Sequence, residues 1–291
     1  EYVQALNEIK KLRNKYKPTQ VPDEVKSRRT AFLWKQSNLL DLENTKHNQS
    51  WDTWQHYYTY YDALKRLGCP VTFITEDEEF DPKKHPFMVA PAYVLVDEYI
   101  IQKWKTYVEN GGHLILTTRT GMKNEHGHLW KTRLQQPIWD LIGAKIDFYD
   151  HMPPGKTANA TMDGISYQWN IWGDILKPYN ETVSWAIHED QFYQGETAVT
   201  HVNTGKGTVT YIGIWSQDKE LEKQALQKVY TKAGATVLNQ KPYVFTEWRD
   251  GFWVTVNYTS DIVEAPVHDD SEIIYGNASV KPGEVAVWKN K

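Results

Sequence analysis

The stretch Phe87–Gly121, FMVAPAYVLVDEYIIQKWKTYVENGGHLILTTRTG, does most to limit what this chain can become. Phe87-Met88-Val89-Ala90 is a short apolar run closed by Pro91, whose missing N–H ends strand pairing. Asp97 offers an N-cap oxygen, and Ile100, Trp104, Tyr107 and Val108 then recur at one face of a 3.6-residue helix. Gly111-Gly112 supplies the positive φ that stops a helix, and Leu114-Ile115-Leu116 begins a second strand. A strand, helix and strand in direct succession imply a right-handed parallel crossover.

The flanking residues extend that unit. Thr30-Ala31-Phe32-Leu33-Trp34 reads as a short buried strand, and residues 35–50 as a long polar loop where α/β sheets place ligand-facing loops. Trp51–Leu67 reads as an aromatic helix whose Trp54, Tyr57, Tyr58, Tyr61 and Leu64 share a face, ended by Gly68 and Pro70. Val71-Thr72-Phe73-Ile74 is a further strand, followed by an acidic loop from Glu76 to Lys84. Alternating strands and helices predict an open, mostly parallel α/β sheet flanked by helices. A shorter helix is expected around Leu134–Ile142, and short strands rich in Trp and Tyr from Lys145 to Tyr193. Thr197–Asn203 and Thr208–Trp215 read as a hairpin turning at Thr204-Gly205-Lys206-Gly207, followed by a helix capped by Asp218 and closed by Ala233-Gly234. Residues 242–289 have no helical period and predict a small antiparallel all-β domain with turns at Asp250-Gly251 and Pro282-Gly283.

Composition narrows the function classes. A net charge of −4 provides no basic field for nucleic acid and no polybasic patch for a membrane surface, and no apolar run approaches the ~20 residues of a membrane span. The single cysteine, Cys69, rules out an internal disulfide framework and a cysteine-rich zinc site. With 13 Trp and 18 Tyr, the chain carries aromatic surface for interfaces, packed sheets or sugar stacking.

Val-Ala-Pro-Ala at 89–92, Tyr107-Val108 before Gly111-Gly112, and Thr117-Thr118-Arg119-Thr120-Gly121 with Glu125 resemble the middle domain of family 42 β-galactosidases. The Gly-Lys-Gly turn, strand and Ala-Gly-terminated helix near residue 234 resemble the end of the same domain, and the last fifty residues its C-terminal β domain. The resemblance implies a fold like class I glutamine amidotransferases (flavodoxin-like in layout), a homotrimerisation role, and a parent enzyme that hydrolyses terminal β-galactosides on a separate (β/α)8 barrel. On this reading residues 1–17 form an amphipathic helix joining an upstream barrel. Residues 18–29 are then a linker, 30–240 the trimerisation domain and 241–291 the β domain.

Catalysis is not expected of these residues. The family places its glutamates on the barrel, the acid/base following an asparagine, whereas Asn-Glu occurs here at 7–8, 124–125 and 180–181 with no barrel to position it. Amidotransferase chemistry needs a cysteine at the turn after a central strand, where this chain has Thr118-Arg119-Thr120. His126-Gly127-His128 beside Glu125 lacks a metal-ligand signature, and no metal or cofactor is predicted. The contact candidates, for a subunit interface or a sugar, are Asn38, Trp51, Trp54, His56, Arg119 and Glu125, with Arg119 expected to pair with Glu125. Other readings are a carbohydrate-binding module, an independent enzyme, or part of a glycoside hydrolase with another substrate. Low cysteine favours a bacterial cytoplasm, while five Asn-X-Ser/Thr sequons (Asn48, Asn159, Asn180, Asn257, Asn277) point weakly towards secretion.

Overall fold

A computed structural model describes residues 2–290; Glu1 and Lys291 lie outside the described residues. Contacts group the chain into two compact units, one of Arg28–Leu64 and Val71–Ala235, the other of Glu1–Ser27, Lys65–Pro70 and Thr236–Lys291.

The larger unit is built on an 11-stranded sheet. Its parallel part takes β1 (Thr30–Leu33), β2 (Val71–Ile74), β3 (Phe87–Ala90) and β5 (His113–Thr117). A two-residue strand, β4 (Leu95–Val96), lies outside this sheet and pairs with β6 (Lys123–Asn124). The sheet continues with β7 (Ala144–Asp150), β8 (Ala158–Met162), β9 (Ile165–Pro178), β10 (Val183–His188), β11 (Thr197–Thr204), β12 (Gly207–Ile212) and β13 (Ile214–Ser216). Strands β2, β1, β3, β5 and β12 are parallel neighbours, and from β12 onward every pairing is antiparallel.

The open, mostly parallel sheet predicted from sequence is therefore corrected to a mixed sheet that rolls up at one end. Two physical causes are visible. The two-residue turn Gly205-Lys206 leaves β11 and β12 no option but antiparallel pairing, in register Thr204↔Gly207. The fourteen-residue β9 then pairs with β8, β7, β11 and β13, so the circuit β9–β8–β10–β11 closes on itself. The expected strand Thr208–Trp215 also breaks at Gly213, because Ile214–Ser216 leaves to pair with β9.

The central unit forms as its sequence dictates. Asp97 caps helix α5 (Glu98–Glu109), accepting from Ile100 N at 2.9 Å, and Ile100, Trp104, Tyr107 and Val108 are buried against the sheet. Gly111 ends the helix at φ 106°, and β3 and β5 pair in parallel. Gly112 has no room for a Cβ, which would lie 2.3 Å from the Tyr107 ring.

Three local readings change. Residues 36–44 form helix α3 (Gln36–Asn44) rather than a loop, burying Asn38, Leu39 and Leu42. Its N-cap is Lys35, which offers no capping oxygen, so the chain carries no local start signal there. Helix α4 (Thr53–Arg66) exists, but its buried face is Thr53, His56, Tyr57, Tyr60 and Leu64, while Trp54 and Tyr58 face outward. Helix α7 (Glu220–Lys232) has Lys219 at its N-cap with φ 64°; Asp218 still accepts from Glu220 N at 3.1 Å. A single-turn helix, α6 (Trp139–Ile142), and a preceding 3₁₀ turn fill the expected helical segment before β7.

In the smaller unit, β14 (Val244–Arg249), β15 (Phe252–Asn257), β19 (Val285–Asn290) and β17 (Ser271–Tyr275) form an antiparallel sheet in that order. A second pair joins β16 (Val263–Glu264) to β18 (Ser279–Val280). Trp253 and Trp288 face each other across β15 and β19, their rings stacked at 6.2 Å. Helix α2 (Asp23–Ser27) adds Val25 to that core, and helix α1 (Tyr2–Lys15) leaves Tyr2, Leu6 and Ile9 exposed. Among the described residues no helix is long and apolar enough to cross a membrane.

Candidate functional site

The C-terminal end of β5 is where a parallel sheet of this kind offers a ligand site, and side chains fill it. The strand runs through Thr117 into Thr118-Arg119-Thr120, all fully buried, with Arg119 held at φ 67°. The guanidinium lies between two tryptophans, 4.5 Å from the Trp51 ring centroid and 5.0 Å from that of Trp172. It donates to Thr45 O at 2.8 Å and Lys46 O at 3.2 Å, the carbonyls just past the C-terminus of α3. A cation at a helix C-terminus meets the negative end of the helix dipole, and two indole faces add cation–π attraction.

The expected partner of Arg119 was Glu125. That carboxylate is instead at the surface, 3.5 Å from His126 Nε2 on the turn after β6. The local acid near Arg119 in sequence is thus not its neighbour in space. Asp41 takes a different cation, Lys123, whose Nζ lies 2.8 Å from both carboxylate oxygens and 2.7 Å from Thr45 Oγ1. Lys123 and Arg119 together fasten the α3 end to the loops that follow β5.

His56 extends the buried cluster. Its ring is 4.8 Å from Trp51, and Nε2 is 3.2 Å from Thr117 Oγ1, whose oxygen accepts from Ala92 N. Burial, and then the nearby Arg119 charge, push its pKa down to about 3, so the ring is neutral at physiological pH. Asn38 is buried apart from these residues, accepting from Leu95 N at 2.8 Å and so holding β4. Trp54 stands on the exposed side of α4, 5.8 Å from Trp34. Of the six contact candidates, the fold brings Trp51, His56 and Arg119 together and leaves Trp54 and Glu125 at the surface.

Sequence reasoning missed Trp172, Asp174 and Glu222. Asp174 is fully buried on β9 and accepts from Tyr211 OH at 2.6 Å and Trp172 Nε1 at 2.9 Å; burial pushes its pKa up to about 6. Glu222 is equally buried on α7 and accepts from Ser216 N and Oγ, with its pKa pushed up to about 7 by burial. The signal was present for Asp174: an acid within the apolar run Ile171-Trp172-Gly173-Asp174-Ile175-Leu176 has to find buried donors. The donors to Asp174 are the Tyr211 hydroxyl and the Trp172 indole; those to Glu222 are the amide and hydroxyl of Ser216, whose hydroxyl also reaches Asp218.

Of the asparagine-preceded glutamates, Glu8 is exposed on α1, Glu125 on the turn after β6, and Glu181 on the turn between β9 and β10. Cys69 is buried at the junction that follows α4. Among the described residues, no three His, Cys, Asp or Glu side chains gather as a metal site.

A family profile described as the β-galactosidase trimerisation domain matches residues 28–237. The chain belongs to this family. It is 29% identical over 238 residues to the β-galactosidase BgaH of Haloferax lucentense, a match covering 81% of this chain and 35% of the relative. It is 27% identical over 246 residues to BgaA of Clostridium cellulovorans, covering 84% and 36%. The chain thus spans about a third of the length of these relatives. Among solved structures, the β-galactosidase of Halorubrum lacusprofundi superimposes with a TM-score of 0.83 at 23% identity, over 94% of this chain and 41% of that one. That of the psychrophilic Marinomonas ef1 does so with a TM-score of 0.78 at 19% identity, over 90% and 38%. These likenesses show the fold.

Proposed function

We propose that this chain is the assembly portion of a β-galactosidase: it joins copies of itself into a homotrimer and performs no hydrolysis alone. The parent reaction is retaining hydrolysis of terminal β-D-galactosides, carried by a barrel upstream in the same polypeptide. On this proposal residues 1–17 lead in from that barrel, 18–29 connect, 30–240 make the subunit contacts, and 241–291 form an accessory β domain. Of the six contact candidates, Trp54 and Glu125 stand on accessible surface, and Asn38, Trp51, His56 and Arg119 support the loops beneath.

The observation that carries this reading is the match of residues 28–237 to the trimerisation family. The filled end of β5 supports its non-catalytic half, since Trp51, Trp172 and Arg119 occupy the place where a substrate would otherwise enter.

Light scattering on the 291-residue chain tests it. The expected result is a mass three times the chain's 34.0 kDa at the higher concentrations, with no turnover of a nitrophenyl β-galactoside. A mass of one chain across the accessible concentration range overturns self-assembly, and galactoside turnover overturns the non-catalytic assignment.

A further inference from the structure

Gln135 is held in the left-handed region, at φ 52°, and its fully buried amide touches the turn after β5. Its Nε2 donates to Thr120 O at 2.6 Å and to Tyr211 OH at 3.1 Å. Tyr211 OH in turn donates to Asp174 Oδ2 at 2.6 Å, and Trp172 Nε1 to Oδ1 at 2.9 Å. A chain of hydrogen bonds thus runs from Thr120 on the turn to a carboxylate on β9, and each of these residues is buried. Chemistry fixes its direction. Thr120 O only accepts, so the amide presents nitrogen to it; an ionised carboxylate only accepts, so Tyr211 presents its proton. Among the described residues, Gln135 Oε1 has no hydrogen-bond partner.

A proton on Asp174 inverts these requirements. The new O–H bond, formed with a proton from solvent, turns Oδ2 from acceptor into donor, and no other covalent bond changes. Asp174 then donates to the Tyr211 oxygen, whose own proton needs another acceptor. Gln135 Oε1 is the spare acceptor on its neighbour, and a half-turn of the amide presents it. The same half-turn sets Oε1 against Thr120 O, two acceptors at hydrogen-bond distance, so the turn has to give way.

We propose that Asp174, Tyr211 and Gln135 form a proton-operated latch on Thr120: the ionised acid holds the turn after β5, and protonation releases it. The turn carries Arg119, whose guanidinium holds the carbonyls past α3, so release loosens that joint as well. Burial pushes the Asp174 pKa up to about 6, against its donors Tyr211 and Trp172 and the Arg119 amide and charge. The other titratable groups around the chain are His188 of β10, with Nε2 3.3 Å from Asp174 O, and Tyr60 of α4 beside Tyr211, with Glu222 of α7 beyond it. Burial lowers the pKa of His188 and raises that of Tyr60, which stays neutral. Global stability moves the opposite way. A carboxyl raised from 3.8 to about 6 contributes stability that is full below about pH 3.8 and lost as pH rises to about 6. Acid should therefore tighten the fold through this group while loosening the one turn.

The test is amide hydrogen exchange of the full 291-residue chain at pH 5 and pH 7.5, read by mass spectrometry and corrected for intrinsic rates. The expected result is protection across Thr118–Met122 roughly fivefold lower at pH 5, relative to Ile100–Val108 of α5, the size of one lost hydrogen bond. Tyr211→Phe keeps the ring but cuts the chain, so it should abolish the difference. The wild-type comparison decides even where the variant does not fold, since an unchanged ratio overturns the latch. A ratio that still changes with pH in folded Y211F overturns control through Tyr211.

Discussion

Arg119 lies 4.5 Å over the ring of Trp51, and both side chains are almost wholly withdrawn from solvent. The contact joins the end of a central strand to the entry of α4, while the guanidinium caps the carbonyls that follow α3. Three segments distant in the chain thus depend on one cation.

Arg119→Lys should destabilise the larger unit by about 2–4 kcal/mol despite keeping the charge. An ammonium lacks the planar fork that satisfies two carbonyls while stacking on indoles, and it is more costly to desolvate. Urea unfolding followed by tryptophan fluorescence measures this; a loss below about 0.5 kcal/mol would show the sandwich to be dispensable.

Glu222 makes stability depend on pH in a definite direction. Its carboxyl is pushed from an ordinary 4.5 up to about 7 in the folded state, so the folded chain holds the proton that the unfolded chain releases between those values. Stability from this group is therefore full below about pH 4.5 and lost as pH rises to about 7. Glu222→Gln removes the titration and keeps an oxygen for Ser216 N. The variant's stability relative to wild type should rise between pH 5 and pH 8, by on the order of 1–3 kcal/mol. Denaturant midpoints at the two pH values decide it, and a pH-independent difference contradicts the assignment.

Two glycine substitutions should separate crowding from backbone conformation. A Cβ on Gly207 would stand 2.0 Å from Gly112 O, a backbone atom between two paired strands, so Gly207→Ala should cost about 3 kcal/mol or more. Gly164 has φ +80° with nothing within 4 Å, so Gly164→Ala should cost only about 1 kcal/mol. Thermal melts of both variants rank them, and equal losses would refute the distinction.

Asp97→Ala should lower stability by about 1 kcal/mol through loss of the hydrogen bond to Ile100 N, and Asp97→Asn should restore most of it. An Asn variant as unstable as the Ala variant would mean that the cap is not the cause.

The boundary between legible and illegible runs through α4. Its existence followed from composition and the Gly68 stop, but its rings occur at nearly every position from Trp54 to Tyr61, so periodicity alone did not select the inward face. The fold selected His56, Tyr57 and Tyr60, because His56 reaches Thr117 and its ring packs on Trp51. Likewise α3 was invisible because it lacks a capping residue and its two buried leucines are few. Within the candidate site, Trp51, His56 and Arg119 were singled out from sequence, while the pairing of Arg119 was not. Its neighbours at Thr45, Lys46 and Trp172 lie more than fifty positions away.

By itself the sequence determined the elements whose signals are local. The unit from Phe87 to Gly121, the Gly205-Lys206 hairpin and the turn at Asp250-Gly251 each carry their own strand period, cap or left-handed residue. Only the tertiary structure decided how the sheet closes and where buried charge is satisfied. Those outcomes depend on β9 meeting four other strands and on Arg119 meeting carbonyls and indoles from separate segments. Such contacts form between residues far apart in the chain, and no short window of sequence contains both partners.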